Sequence, residues 1–555
     1  MTLRILVVYS LLLLKSLVSE AQTYTRIPPL QADGFPIADV SIWLKDSPDG
    51  LPSKLTDSTE LVRFYRAFGI SEAELYNTQI NGSIWVKLIV ETKDITKEEI
   101  TAEKRPSGMF AKGGQGDFPV LYENSRSKVT FILNGGTGIF NEVNTFFGEG
   151  AAFTQGNPIA TDPAGQGVRF WGEAFLEPGL AAITKLGNTR AYAYGAASVL
   201  ISGRNTSDIY SEGATAFADF ERLYAGILWA GLGKERDLNI NISAGRNFFQ
   251  LNDAFLISRI SGSANAGARG NVYLSSRTAF EKTLLASISK QNWHASFFFL
   301  EPAELAKTNQ SNINITGGSL DWHKNPHYEI GVTYLTISNG RGFYAIPEGR
   351  IEKRGMYIIN PKVWLKRIGG TGAYLKSEYA YQSHRTADMK SQGWYIGGGY
   401  ETSWKWKPNF YYRYAHLSGD DESTVTYERF DPLLTGGLGL WVQGINNRKV
   451  IGNGNIISHR VQVQTYFSKK WDVSLDYFFL QSDELLNLGG LAPIKNLESN
   501  KLGQEVTLST RYFLSSHFML LGIFSHAIRG EAIRKAFSNP TYDWTSFQLA
   551  IFMFY

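Results

Sequence analysis

The final residues of the chain alternate strictly between apolar side chains and small or polar ones. Apolar side chains occupy every second position: Phe547, Leu549, Ile551, Met553 and Tyr555. Because successive side chains of a β-strand point to opposite faces, this pattern predicts a strand with one wholly apolar face. Such a strand with a terminal aromatic residue is typical of a transmembrane β-barrel, and it is the feature we expect the barrel-assembly machinery to recognise. A soluble β-sandwich that ends on a similar strand is the alternative.

Most of the remaining chain repeats this pattern, with strands of about ten residues joined alternately by tight turns and by long segments. The predicted turns lie at 233–237, 290–292, 323–326, 368–371, 405–408, 469–472 and 515–517. The last is Ser-Ser-His, and the others contain Gly, Pro, Asn or charged residues. The long segments include 419–453, 483–502 and 529–542. We therefore predict an all-β fold, an up-and-down antiparallel transmembrane barrel of about 18 strands over 128–555, wide enough to enclose water.

The first 21 residues differ from the rest of the chain. Arg4 precedes an apolar run at 5–14, and Ser19 and Ala21 stand where a signal peptidase requires small residues. The run is shorter than the roughly 20 apolar residues that a membrane helix needs, which disfavours a membrane anchor. We predict a signal peptide at 1–21, a mature chain beginning at Gln22, and a location in the bacterial outer membrane.

The part between the signal peptide and the barrel, 22–127, predicts a small α+β segment in the periplasm. Residues 39–45 and 83–91 alternate as strands do, and 57–76 carries apolar residues at helical spacing. Residues 93–116, rich in charge and Gly, would link this β-α-β module to the barrel. The alternative is that part of the segment folds into the pore as a plug.

Composition excludes several function classes. The chain has 0 Cys and a formal charge of +4 without a dense basic run, so thiolate metal sites, disulfides and nucleic-acid binding are not expected. No catalytic motif occurs. His459, Ser458 and a distant carboxylate could form a barrel hydrolase, but polar residues lining a pore explain them more simply. We predict no enzymatic activity, no metal and no cofactor.

Alternation also assigns charged side chains to the lumen. Three strands with apolar or aromatic outward positions carry Arg413, Arg460 and Arg511 on the inward face. The same rule places a further eight charges inside: Arg169, Lys362, Lys376, Glu173, Glu378, Glu401, Asp476 and Glu505. An Arg or Lys at the lipid midplane costs about 2–4 kcal/mol, which is the energetic reason for the inward assignment. We predict that these residues line the solute path, mostly as cross-strand pairs.

Short motifs follow one another at 243–248, 252–257, 417–421, 429–433, 440–444, 458–460 and 503–506. Their order and spacing over about 215–555 resemble the alginate export porins, and Phe-Asp-Pro-Leu at 430–433 before Trp-Val-Gln-Gly at 441–444 is the most specific part. The resemblance implies an eighteen-stranded outer-membrane barrel that passes an anionic polysaccharide. The family-motif residues are Arg246, Asp253, Asp420, Asp431, Trp441 and Gln443.

Two departures from the family pattern bear on the ligand and on one charge. Asn247 stands where the family usually has Gln, and Asn252-Asp253-Ala254 replaces a Gly-Asp-Gly type of turn, so the ligand need not be alginate. Strict alternation places Arg246 on the lipid face. Either Gly245 marks a bulge that turns Arg246 inward, or Arg246 lies beyond the membrane band.

The sequence thus predicts an outer-membrane channel that passes anionic saccharides or polysaccharide by passive diffusion. Its expected partners are outer-membrane lipid, the barrel-assembly machinery, an anionic saccharide ligand and other periplasmic export or uptake components. The alternatives are a general diffusion porin without saccharide preference and, less favoured, a barrel-embedded hydrolase.

Overall fold

The computed structural model describes the following ranges: 24–27, 73–80, 83–88, 120–123, 126–154, 166–234, 237–259, 273–305, 311–325, 327–346, 349–435, 441–468, 470–487, 490–515, 518–538 and 540–554. The predicted signal peptide, the predicted strand at 39–45 and the predicted linker at 93–116 lie outside these ranges. No helix within them is both long and apolar enough to cross a bilayer.

Three short strands precede the barrel: β1 (Tyr24–Ile27), β2 (Ala73–Ile80) and β3 (Ser83–Leu88). They form an antiparallel sheet in the order β1-β3-β2. The strand predicted at 83–91 overlaps β3. The helix predicted at 57–76 is wrong at 73–76, which belong to β2, because pairing with β3 overrides the local helical spacing; its other residues lie outside the described ranges.

Eighteen long antiparallel strands form a closed barrel, which confirms the predicted fold class. The first half comprises β5 (Ser127–Val143), β6 (Val168–Lys185), β7 (Ala191–Arg204), β8 (Thr215–Leu232), β9 (Leu238–Asn247), β10 (Phe280–Lys290), β11 (Trp293–Glu301), β12 (Asn314–Asn325) and β13 (Tyr328–Asn339). The second half comprises β16 (Met356–Leu365), β17 (Ala373–His384), β18 (Lys390–Glu401), β19 (Asn409–Leu417), β20 (Ile456–Ser468), β21 (Trp471–Gln481), β22 (Lys501–Phe513), β23 (Phe518–Arg529) and β24 (Trp544–Phe554). Strands that are consecutive in this series are neighbours in the barrel.

The barrel closes where its last strand pairs with its first. β24 and β5 are antiparallel, in a register that runs from Thr545 opposite Val143 to Phe554 opposite Asn134. The short strand β4 (Val120–Glu123) pairs with the beginning of β5, opposite residues 128–130. The chain preceding the barrel therefore arrives at this seam.

The two ends of the barrel differ in the length of their connections. At the turn side, tight turns join β8 to β9, β10 to β11, β12 to β13, β16 to β17, β18 to β19, β20 to β21 and β22 to β23, as predicted. A further tight turn, which was not predicted, joins β6 to β7. At the loop side, long connections include 144–167, 248–279, 418–455 and 530–543. The loop-side connections also carry the hairpin β14 (Phe343–Ile346) with β15 (Gly349–Glu352) and the short helices α1 (Gly150–Thr154) and α2 (Glu531–Lys535).

Candidate functional site: the barrel lumen

The barrel has an apolar outer face and a mixed inner face. On β20 and β22, Val461 and Leu508 are 46% and 44% exposed, whereas Ser458 and Glu505 are fully buried. On β24, Phe547 and Leu549 point outward as the alternation predicts. An apolar outer surface on a closed barrel is stable only in contact with lipid, so the strands cross a membrane.

Two loop-side connections fold into the barrel and pack against each other. Ile257 and Leu434 form a parallel bridge between them. The ring of Phe255 stacks on Phe430 with centroids 5.7 Å apart and lies 4.8 Å from the ring of Trp441. The aromatic cluster that results narrows the lumen from the loop side.

Carboxylates on the barrel wall hold these inward segments in place. Glu505 accepts the backbone N–H groups of Ile445, Asn446 and Asn447. Gly444, at φ +85°, lies so close to this carboxylate that a Cβ atom would be 2.3 Å from Oε2 of Glu505. A loop whose N–H groups point at a buried carboxylate is fixed by charge-assisted hydrogen bonds.

Two other wall carboxylates make the same kind of contact with the connection between β9 and β10. Glu173 accepts the N–H groups of Tyr273 and Leu274 at 2.9 and 3.0 Å, and it also accepts a bond from the indole of Trp171. Glu221 accepts the N–H groups of Thr278 and Ala279 at 2.6 and 2.9 Å. We refer to Glu173, Glu221 and Glu505 as the anchor carboxylates.

Of the three lumen arginines singled out from sequence, two form ion pairs across strands. Arg460 lies 2.6 Å from Asp476, and Arg511 lies 2.9 Å from Asp472. Arg413 instead places its guanidinium 3.9 Å from the ring centroid of Trp441. Nε and Nη2 of Arg413 are buried and find no hydrogen-bond acceptor among the described residues. Arg413 is thus a cation without a carboxylate partner in the described part of the chain.

The two predicted lumen lysines have different surroundings. Lys362 is fully buried, with its ammonium 3.0 Å from Asp321 and 2.6 Å from Glu329. Lys376 lies 3.0 Å from Asp253 of the inward loop, and both side chains remain a quarter exposed. The Lys362 cluster is a closed structural contact, whereas Lys376 and Asp253 remain accessible to solute.

The cluster around Lys362 also contains the donor set most suggestive of a metal. Asp321, His323 and Glu329 bring ligand atoms within 4.8 Å of one another. The ammonium of Lys362 already supplies a positive charge to both carboxylates. The residues therefore fit a lysine-centred ion cluster better than a metal site.

The remaining predicted lumen charges lie at different heights. Arg169 is half-buried near the loop side, and Glu401 is exposed at the turn-side end of β18. Glu378 is buried and accepts a bond from the hydroxyl of Tyr395 at 3.0 Å. Asn252, the first residue of the turn that departs from the family pattern, joins Glu378 to Lys362 through contacts of 3.5 and 2.7 Å.

The family-motif residues mostly stabilise loops. Asp431 lies 2.7 Å from the ammonium of Lys353 and accepts a bond from the hydroxyl of Tyr344. Asp420 accepts the backbone N–H of Glu428 at 2.7 Å. Gln443 is fully buried, and its Oε1 accepts a bond from the hydroxyl of Ser458 at 2.6 Å.

Arg246 is neutralised at the loop-side end of β9. Its guanidinium lies 2.7 Å from Glu281 and 3.2 Å from Asp219. Gly245 has a φ of +127°, and the facing strand β10 shifts register there, so a β-bulge is present. In the β8–β9 ladder Arg246 nevertheless lies opposite Leu223, whose side chain is exposed on the outer face, so the bulge does not turn Arg246 inward. The carboxylates of Glu281 and Asp219 neutralise its charge there.

The residues considered for a hydrolase do not come together. Ser458 faces inward and bonds to Gln443, whereas His459 lies on the opposite face, where its Nδ1 is 2.8 Å from the hydroxyl of Tyr412. Neighbouring positions of one strand cannot converge on one substrate, because their side chains leave opposite faces.

The part of the wall that stays accessible lies on β17 to β20. Inward side chains there are half-buried rather than covered: Tyr374, Lys376, Tyr411, Arg460, Gln462 and Gln464. Sequence reasoning missed Tyr411, and it missed Lys366, which continues the inward series after Lys362 and Trp364 at the turn side. The series of alternate positions on β16 was a usable signal for Lys366. We call the accessible wall from Tyr374 to Gln464, with Asp253 facing it, the passage.

No family model matches the sequence, and no curated protein matches it, so the resemblance to the alginate export porins gains no support there. Among solved structures, the chain is similar to OccK5 (OpdH) of Pseudomonas aeruginosa, with 11% identity, a TM-score of 0.45, and coverage of 76% of this chain and 97% of that one. OccK7 (OpdD) of the same organism has 10% identity, a TM-score of 0.45, and coverage of 77% and 98%. OmpF of Salmonella typhi, solved with daunomycin, has 10% identity, a TM-score of 0.38, and coverage of 78% and 100%.

Likenesses at this level carry no information on ligand or selectivity. The architecture itself locates the protein, because closed barrels of this kind with lipid-facing apolar residues belong to bacterial outer membranes. The protein is an outer-membrane β-barrel of eighteen long strands, with loops that fold into its lumen.

Proposed function

We propose that this barrel is a passive diffusion channel with a preference for anionic solutes. The observation that carries the proposal is Arg413, an inward cation next to the passage that has no carboxylate partner among the described residues. It lies directly opposite Arg460 in the strand register, so two guanidinium groups approach each other and only Arg460 is paired. An unmatched cation at a narrow point concentrates anions and repels cations.

Carboxylated saccharides are the solute class that the motif resemblance adds to this proposal. Aromatic side chains accompany the cations: Trp441 packs on Arg413, and Tyr411 lies 5.9 Å from the guanidinium of Arg460. Rings and guanidinium groups together suit a solute that has both a sugar face and a carboxylate. Loops that narrow the lumen favour short saccharides over a long polymer.

A general diffusion porin without preference is the second candidate. The pairing of Arg460, Arg511, Lys362 and Lys376 with carboxylates favours it, because paired charges contribute little net field. The two functions differ in the role of Arg413 alone.

Reversal potentials in a salt gradient test the proposal. Arg413→Gln removes the unmatched charge and should lower the anion-to-cation permeability ratio, whereas Arg413→Lys should retain most of it. The matched control is the double variant Arg511→Gln with Asp472→Asn, which removes an intact pair without changing net charge and should leave the ratio unchanged. A folded Arg413→Gln channel with the parent's ratio would refute anion preference. Oligouronates that reduce the parent's current at concentrations where neutral oligosaccharides do not would support the saccharide class.

A further inference from the structure

Aromatic side chains form a continuous patch on the outer face of the barrel at the turn side. The ring of Phe467 on β20 lies 5.1 Å from the ring of Trp406 and 4.9 Å from the ring of Trp471. Tyr512 lies opposite Trp471 in the β21–β22 ladder, so the patch continues onto β22. Each of these four side chains is between 37% and 48% exposed. We call Trp406, Phe467, Trp471 and Tyr512 the aromatic patch.

Three lysines border the aromatic patch, in the two turns next to it. Lys405 and Lys407 lie in the turn between β18 and β19, and Lys470 lies in the turn between β20 and β21. All three are exposed, and none forms an ion pair with a carboxylate in the described part of the chain. The ammonium of Lys405 lies 5.2 Å from the ring centroid of Trp406. The aromatic patch therefore has a border of positive charge.

Two carboxylates lie in the strands next to these turns, and both face the lumen. Glu401 ends β18 and follows Tyr400, which is 47% exposed on the outer face. Asp472, near the start of β21, is buried and paired with Arg511 on the inner wall. Successive side chains of a strand leave opposite faces, so neither carboxylate points toward the lipid. The charge of the three lysines is thus not neutralised by these two groups.

The turn between β18 and β19 is fixed against the neighbouring strand. Trp406 and Lys407 have φ values of +70° and +44°, in the left-handed region that residues other than glycine rarely adopt. The carbonyl of Trp406 accepts bonds from the N–H of Tyr466 at 2.8 Å and from the hydroxyl of Thr465 at 3.0 Å. Unfavourable backbone conformations persist where the surroundings enforce them, and they are frequent at binding sites. This turn therefore holds Trp406 on the aromatic patch and its lysines beside it.

We propose that the aromatic patch and its three lysines bind an anionic phospholipid. Short turns of such barrels lie on the periplasmic side, so the ligand is a lipid of the inner leaflet. Its glycerol region and acyl chains lie along the rings, since aromatic side chains favour the membrane interface. Its phosphate lies among the ammonium groups of Lys405, Lys407 and Lys470. Charge complementarity selects an anionic headgroup over a zwitterionic one, because a zwitterionic headgroup brings a cation of its own toward the lysines.

Native mass spectrometry of the full-length protein tests the headgroup preference. The detergent-solubilised barrel is incubated with equal amounts of phosphatidylglycerol and phosphatidylethanolamine, and the two adducts are compared. The parent should bind phosphatidylglycerol in preference by roughly fivefold or more. The triple variant Lys405→Gln, Lys407→Gln, Lys470→Gln should lose most of this preference while keeping the heat-modifiable migration of a folded barrel.

A matched control removes the same number of charges elsewhere on the turn side. The triple variant Arg126→Gln, Lys185→Gln, Lys234→Gln changes residues at the turn-side ends of β5, β6 and β8. The outer face there carries small side chains such as those of Ala182 and Ala193. This control should keep the parent's lipid preference. Equal loss in both triple variants, or no preference in the parent, would overturn the proposal.

Photo-cross-linking locates the lipid on the unmodified protein and does not depend on any variant. Phosphatidylglycerol with a photoactivatable group in one acyl chain is irradiated with the full-length barrel, and the labelled peptides are sequenced. Labels should concentrate at 404–412 and 467–477, and excess unlabelled phosphatidylglycerol should remove them whereas inorganic phosphate should not. Labels spread evenly around the outer face, or displacement of the lipid by inorganic phosphate alone, would overturn the assignment of this site to a phospholipid.

Discussion

Replacing Glu505 by Gln should detach the inward loop at 441–455 while leaving the barrel closed. The carboxylate accepts three backbone N–H groups, and all its partners are buried. Gln keeps one acceptor oxygen but turns an NH₂ group toward the N–H of Asn447, which now bonds to Oε2 at 2.8 Å. A charge-assisted bond contributes about 1.5–3 kcal/mol, and a buried donor left without a partner costs about 1–3 kcal/mol. We therefore expect the free energy of opening the loop to fall by about 2–4 kcal/mol, which raises the population of the open form by roughly 30- to 1,000-fold.

Limited trypsin digestion measures this opening, because Arg448 and Lys449 lie within the anchored loop. The ammonium of Lys449 is buried against Glu142, so cleavage there requires the loop to leave the wall. The initial rate of cleavage after these residues should rise at least tenfold in Glu505→Gln. Glu301→Gln is the control, since Glu301 pairs with the exposed Lys282 and such pairs contribute little. Parent-like cleavage of a folded Glu505→Gln barrel would show that the anchor carboxylate does not hold the loop.

Three further predictions follow from other contacts. Burial and the nearby Lys376 lower the pKa of Lys366 to about 8, so the positive charge of Lys366 is lost as pH rises through 8. The anion-to-cation permeability ratio should therefore fall between pH 7 and 9, and Lys366→Arg should abolish that fall, because arginine stays charged. Burial raises the pKa of Asp431, but the ammonium of Lys353 more than offsets this and holds the pKa below its usual range. The ion pair between Asp431 and Lys353 is therefore fully stable above about pH 4 and weakens only below that pH. Hydrogen exchange in the β14–β15 hairpin should be constant from pH 7 to 5, and it should be faster in Asp431→Asn at every pH. Polar replacement of Met553 and Tyr555 should allow export but prevent assembly, visible as loss of heat-modifiable migration from the outer-membrane fraction.

The strands and their faces were predictable because a half-buried strand has a period of two. On β22 the alternation alone placed Glu505 inside, and on β24 it placed Phe547 and Leu549 on the apolar outer face. Most of the tight turns were also predictable, since Gly, Pro, Asn or charged residues interrupt the pattern there, but the turn between β6 and β7 was not predicted. These features depend only on neighbours in sequence.

The inward loops were not predictable, because their contacts join distant parts of the chain. Glu173 was assigned to the inner face, but its partners are backbone N–H groups 100 and 101 residues away, and backbone groups leave no mark on the sequence. Glu221 was missed because a bulge on β8 brings both Glu221 and Arg222 to the inner face, against strict alternation. The strands of the barrel follow from a local sequence pattern that repeats along the chain, whereas the lumen is shaped by contacts between residues far apart in sequence.

The seam between β24 and β5 has a consequence for the order of folding. The bond from the indole of Trp544 to Glu142 joins residues separated by 402 positions. Until β24 is in place, the edge of β5 beyond residues 128–130 exposes unpaired backbone groups, which invite pairing with other chains. Each of the other ladders forms between strands that are consecutive in this barrel and could assemble progressively, but closure must wait for the whole polypeptide. Contacts of such long range are slow to form, so the rate of closing this one seam should limit how fast the protein matures.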